Sequence, residues 1–177
     1  QQRLVARRLG WPPSRVLYRA VEDSYQCLHV STAFCWYMAR SVAFDVQHRH
    51  VDPAAWDDIY IVGDPHGCRA AVETLCDRLS LTDSDLLIFV GDLVRKGPDT
   101  KGIVDLVRSA PNMLTVRGNN EEKLLRGEKT VDALTEADLD WIADQPAVIS
   151  LPETLITHAG VDPRKPRADH TVGDLQN

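Results

Sequence analysis

A chain of 177 residues with 44% hydrophobic content can bury one core, which suits one domain or one domain with an appendage. No stretch approaches the roughly 18 apolar residues of a membrane span; the most apolar window, Val30 to Ala39, is cut by Arg40. The net charge of −6 is uneven, with seven arginines against four acids in residues 1–56 and thirteen basic against twenty-two acidic side chains in 57–177, and so acidic a body excludes a nucleic-acid-coating surface.

The opening Gln-Gln-Arg-Leu-Val-Ala-Arg-Arg is followed by no uninterrupted apolar core and no small-residue cleavage site, so a cytoplasmic location is expected. Cys27, Cys35, Cys68 and Cys76 lack C-x-x-C spacing and read as reduced, packing thiols. Residues 1–56 read as an N-terminal extension of unknown role. Within it Val16 to Glu22 and Phe34 to Phe44 are helical candidates without a clean period, and Pro12-Pro13 interrupts early. His48-Arg49-His50, ahead of Pro53, reads as solvated linker in preference to a metal site.

From Trp56 the pattern becomes regular. Ile59 to Val62 is a short apolar run, a buried strand that ends by presenting Asp64 and His66 two residues apart. That pair suits a metal; an ordinary polar turn is the alternative. Val72, Leu75, Cys76 and Leu79 then fall on one face of a helix. A second strand, Leu86 to Val90, runs into Gly91-Asp92, and a helix carrying Ile103, Val104, Leu106 and Val107 follows Gly97-Pro98-Asp99. A third, Met113 to Val116, reaches Gly118-Asn119-Asn120 and a helix whose first turn holds Glu121 and Glu122, acids that suit its dipole. Thr135 and Asp138 mark a helix start that Pro146 terminates. Ala147 to Ser150 and Leu155 to Thr157 form a hairpin pair around Pro152 and deliver His158-Ala159-Gly160, and Asp162 to Arg167 reads as a loop.

Continuous apolar strands alternating with amphipathic helices imply an α/β fold, with a mainly parallel or mixed sheet and helices on both faces. In such sheets ligands sit outside the carboxyl ends of the strands, where Asp64, Asp92, Asn119 and His158 fall. Taken alone, Asp92 has a second reading, as a capping carboxylate at a strand-to-helix turn.

Gly63-Asp64-x-His66-Gly67, Gly91-Asp92-Leu93-Val94-x-x-Gly97-Pro98-Asp99, Arg117-Gly118-Asn119-x-Glu121 and His158-Ala159-Gly160 resemble, in order and spacing, the calcineurin-like metallophosphoesterases. Within that superfamily they are most similar to the phosphoprotein-phosphatase branch, which includes symmetrical diadenosine tetraphosphatases and prokaryotic serine/threonine phosphatases. The resemblance covers 57–177 and implies a metallophosphoesterase domain that is incomplete at its C-terminus, holding the first half of the family's β-sandwich. It implies two divalent ions, manganese first with iron, zinc or nickel as alternatives. Asp64 and His66 would hold one, Asp92 would bridge, and Asn119 with His158 would bind the second. Carboxylate, imidazole and amide ligands agree with such metals and not with a soft thiolate site. The implied nucleophile is a hydroxide activated by the two metals, acting on a phosphoester substrate, either a dinucleoside polyphosphate or a phosphoprotein. No membrane or nucleic-acid partner is expected, and an oligomer is left open.

Departures from the family pattern qualify this. Asn120 stands in place of the usual catalytic His, and an amide donates a hydrogen bond without supplying a proton. Arg95-Lys96 replaces Asp-Arg, so the acid that pairs with that His is also absent, and Lys96 takes the place of a phosphate-binding Arg. Pro65 stiffens the first turn. The family's last metal-binding His lies well beyond His-Ala-Gly, and His170, twelve residues after His158, is too close to match it. A second expectation therefore stands beside hydrolysis: a catalytically impaired domain that binds metal or phosphate.

Overall fold

The computed structural model describes residues 6–9 and 46–176. The helical readings at Val16–Glu22 and Phe34–Phe44, with Cys27 and Cys35, lie outside the described residues. Three parallel strands form the centre: β3 (Ile59–Val62), β4 (Leu86–Phe89) and β5 (Met113–Thr115). Their register sets Val62 beside Phe89 and Phe89 beside Thr115, so all three strands finish level and the turns that follow leave from one edge. β1 (Ala6–Leu9) adds antiparallel to β3, giving the order β1-β3-β4-β5. A second sheet has the order β2-β6-β7, from β2 (His48–His50), β6 (Val148–Leu151) and β7 (Thr154–Ile156); β2 runs parallel to β6, and β6 with β7 makes the expected hairpin.

Strand side chains alternate between faces, and that alternation builds two separate cores. Tyr60, Val62, Leu87 and Phe89 face helices, packing with Val72 of α1 (Arg69–Leu79), with Ile103, Val104 and Val107 of α2 (Thr100–Ser109), with Leu124 of α3 (Asn119–Leu125) and with Ile142 of α4 (Glu136–Ala143). Ile59, Leu86, Ile88, Leu114 and Val116 face the other way, onto Ile149 and Ile156 of the second sheet. All four β4 residues are fully buried, each contributing on the order of 1.5–3 kcal/mol. A smaller cluster on the far side of the second sheet joins Val148 to Leu175 of α5 (Val172–Gln176). Helices thus stand on both sides of a two-sheet core.

His48-Arg49-His50 is strand and not linker. The Ser150 hydroxyl holds both imidazoles, at 2.9 Å from His48 Nε2 and 2.8 Å from His50 Nδ1. His170 also has a structural role: its buried ring donates from Nδ1 to the Pro166 carbonyl at 2.9 Å, and its Nε2 accepts the Asp162 N–H at 3.2 Å, fastening the loop after His158.

Helix α4 begins where the sequence placed it. Thr135 Oγ1 accepts the Asp138 N–H, and the buried Asp138 carboxylate accepts both the backbone N–H and the hydroxyl of Thr135, at 2.9 and 2.8 Å. Those bonds, first the one from the Thr135 N–H, hold the Asp138 carboxyl below its ordinary value, with Lys101 adding to the effect. Thr135→Ala is expected to lower stability by about 1 kcal/mol in urea unfolding. The Asp138 contribution is present above the unfolded carboxylate pKa of about 4 and is lost as pH falls through the lower folded value. The difference in urea midpoint between wild type and Asp138→Asn should therefore narrow on acidification below about pH 4.

Candidate metal centre

The turns after β3 and β4 are sewn together by backbone. His66 N–H donates to the Asp92 carbonyl at 2.9 Å, and Gly67 N–H to that of Leu93 at 2.7 Å. The chain reverses so sharply that four non-glycine residues here adopt left-handed conformations: His66, Asp92, Arg95 and Lys96, with φ of 46°, 51°, 68° and 66°. Such conformations cost on the order of 1 kcal/mol each and persist only where surrounding bonds impose them. At Gly91, with φ of 97°, a Cβ would come within 2.7 Å of the Gly118 nitrogen, so only glycine lets the end of β4 reach the start of α3.

Asp64, Asp92 and His158 converge, with one ligand-type atom from each lying within 4.8 Å of the others. His158 Nε2 lies 3.7 Å from Asp92 Oδ1, and His66 Nε2 lies 3.8 Å from Asp92 Oδ2 and 3.9 Å from Asp64 Oδ2. The two imidazoles are oriented alike. Nδ1 of His158 meets the Val90 carbonyl at 2.8 Å, and Nδ1 of His66 meets that of Val94 at 3.4 Å. A carbonyl only accepts, so each Nδ1 carries the proton and each Nε2 keeps a lone pair for a cation. Asn119, half-buried at the first position of α3, comes to the same edge, and no hydrogen bond ties its side chain among the described residues.

Asn120 is buried against Asp92. Its N–H donates to Asp92 Oδ1 at 2.9 Å, its side-chain amide donates to Asp92 Oδ2, and its own Oδ1 accepts from Arg95 Nη1 at 2.5 Å. Asp92 thus also receives a backbone N–H from the first turn of α3, a helix distant in sequence, whereas the helix that follows β4 is capped by Asp99. Lys96, exposed, brings its ammonium to 3.1 Å from His66 Nε2.

Burial, first of all, raises the Asp64 carboxyl above its ordinary value; the neighbouring Asp92 carboxylate adds to the rise, and His158 opposes it. Two carboxylates short of positive charge, facing two imidazole lone pairs, form a donor set that fits a divalent cation. Among the described residues no other group of three such side chains converges.

Residues 58–175 match the calcineurin-like phosphoesterase family, and the chain belongs to it. A symmetrical bis(5'-nucleosyl)-tetraphosphatase of Shewanella baltica is 37% identical over 123 residues, covering 59% of this chain and 45% of that protein. The corresponding protein of Dechloromonas aromatica is 34% identical over 122 residues, covering 59% and 44%. The chain thus spans less than half the length of these relatives. A crystal structure described as a candidate diadenosine tetraphosphatase superposes with a TM-score of 0.61 at 32% identity, covering 68% of this chain and 58% of that one. A protein serine/threonine phosphatase from Saccharomyces cerevisiae shares the fold, with a TM-score of 0.54 at 19% identity over 73% of this chain and 46% of its own.

Two residues of the centre were not singled out by sequence reasoning. Arg95 was read only as the loss of an acid. Glu121 was read as a helix-dipole acid, yet its buried carboxylate accepts three backbone N–H groups, from Asp92 at 2.9 Å, Gly118 at 2.8 Å and Val94 at 3.1 Å. Burial and the nearby Asp92 push its pKa up to about 7 against those three bonds. A Glu three residues after the helix-capping Gly118 was the available signal. Glu121→Ala leaves three N–H groups without their acceptor and is expected to cost at least about 2 kcal/mol in urea unfolding. Gly91→Ala should be destabilising as well, and should lower divalent-ion affinity in a calorimetric titration because it separates Asp92 from α3.

Proposed function

We propose that this chain carries the metal-holding half of a phosphoester hydrolase. The observation that supports the reading best is the convergence of Asp64, Asp92 and His158 from the ends of different strands, with His66 presenting its Nε2 to the same two carboxylates. Asp64, His66, Asp92, Asn119 and His158 would hold two divalent ions, manganese first, with iron, zinc or nickel as alternatives. Bound there, such ions acidify a water and offset charge on the oxygens of a phosphoryl group. Asp92 would bridge them. The Nδ1 bonds of His66 and His158 keep both rings in the ligating tautomer.

Lys96 offers a point charge to a substrate phosphate at the mouth of the site. Asn120 orients Asp92 through its amide and has no proton to give a leaving group. The reaction is therefore matched to leaving groups that depart as stable anions, as a nucleotide phosphate does and a serine alkoxide does not. A dinucleoside polyphosphate is accordingly proposed as substrate ahead of a phosphoprotein, in line with the names of the relatives. Residues 57–177 are proposed as the catalytic domain and 1–56 as an extension to it. The cytoplasm is the proposed compartment. Separately, no described helix is long and apolar enough to cross a membrane.

A second reading has its own observation. The Asn120 amide and the Lys96 ammonium already engage Asp92 and His66, as they would in a domain that binds metal or phosphate without turnover.

Hydrolysis of p-nitrophenyl phosphate and diadenosine tetraphosphate by the 177-residue chain in Mn²⁺ separates the two. Activity should disappear with chelator and in Asp92→Asn, a substitution that keeps a residue tolerant of the left-handed backbone, and the tetraphosphate should be the better substrate. A metal-loaded but silent protein supports the second reading, and one that takes up no metal defeats both.

A further inference from the structure

We propose that Arg95 determines specificity at this site, making it prefer two or more linked phosphates over a single one. The inference rests on the phosphoester reading above and assigns a role to a residue that reading does not use.

Asp92 Oδ2 is approached from two sides, by the Asn120 amide and by His66 Nε2 at 3.8 Å. Behind each stands a cation, and the two cations are consecutive residues: Arg95 on Asn120 at 2.5 Å and Lys96 on His66 at 3.1 Å. Both positions have left-handed backbone, φ of 68° and 66°, and their side chains reach the two groups that flank Asp92, Asn120 and His66. A phosphoryl group placed at Asp92 therefore lies between two positive heads.

Arg69, Lys101, Arg108, Arg117 and Lys165 each rest on a carboxylate, whereas Arg95 and Lys96 make no ion pair among the described residues despite standing at an edge lined with acids. Arg95 has five N–H donors; its guanidinium gives one to the Asn120 carbonyl oxygen, and the others meet no described acceptor. A half-buried guanidinium with an open fork is a receptor for phosphate oxygens, which it binds in bidentate fashion.

The two cations have different tasks. One phosphate is met by Lys96 together with the centre at Asp64 and Asp92. A phosphate linked to it through a bridging oxygen brings further negative charge one linkage away, and Arg95 is the remaining cation placed to receive it. If Arg95 acted solely by holding Asn120, its loss would weaken ligands with one and two phosphates alike. A contact to the second phosphate predicts a selective loss.

The test is calorimetric titration of the full chain with AMP and with ADP, Mn²⁺ being in excess over nucleotide, alongside metal content and hydrolysis of p-nitrophenyl phosphate. Wild type should bind ADP about tenfold more tightly than AMP. Arg95→Ala should reduce that ratio to about twofold or less, losing more affinity for ADP than for AMP when compared at matched metal loading, Arg95→Lys should fall between, and Lys96→Ala should weaken both nucleotides together. Equal affinity for AMP and ADP in wild type overturns the inference, as does parallel weakening of both in Arg95→Ala. Either result in a chain that still hydrolyses p-nitrophenyl phosphate defeats the Arg95 assignment alone, whereas a chain that binds neither nucleotide and hydrolyses nothing defeats the phosphoester reading with it.

Discussion

The centre depends on one buried carboxylate that never faces it. Glu121 gathers the N–H groups of Asp92, Val94 and Gly118, joining the loop after β4 to the first turn of α3. Without that join, Asp92 keeps only the His66 N–H on its carbonyl and Asn120 on its carboxylate to hold its left-handed conformation. Burying an acid here is unfavourable, as its raised pKa records, and three peptide dipoles are the offsetting term. This bond set converts two adjacent strand ends into a rigid corner, and Gly91 permits the approach that makes the corner tight enough to close.

Much of the architecture was legible because it is written in apolar periodicity. Ile59–Val62 was read to the residue, and the strands at Leu86 and Met113 came within one, since parallel strands buried on both faces are continuous hydrophobic runs. Thr135 with Asp138 located α4 through cap chemistry. β1 and β2 escaped for the converse reason. Ala-Arg-Arg-Leu and His-Arg-His are short and rich in charged or polar residues, so no apolar period betrays them, and both strands stand at the ends of their sheets. α5 was missed because its short span holds only one fully buried apolar residue, Leu175.

At the centre, residue types announced ligands and could not announce their orientation. That His66 and His158 both spend Nδ1 on carbonyls of the β4 arm follows from folding, as does the meeting of Arg95 with Asn120 across twenty-five positions. The sequence marked Arg95 and Asn120 as linked departures, the loss of a His and of the acid that pairs with it. In space the two replacements are bonded to each other, a contact that their spacing did not announce.

The left-handed residues carry a consequence for how this chain can change. Arg95 and Lys96 hold a backbone that glycine or asparagine would adopt with less strain. Selection for thermal resilience alone would drift those two positions toward such residues and strip the mouth of its charge, and β-branched replacements would be purged whatever their function. Two long cations on so unfavourable a backbone make this the place where directed-evolution libraries selected by heat and those selected by ligand would part company.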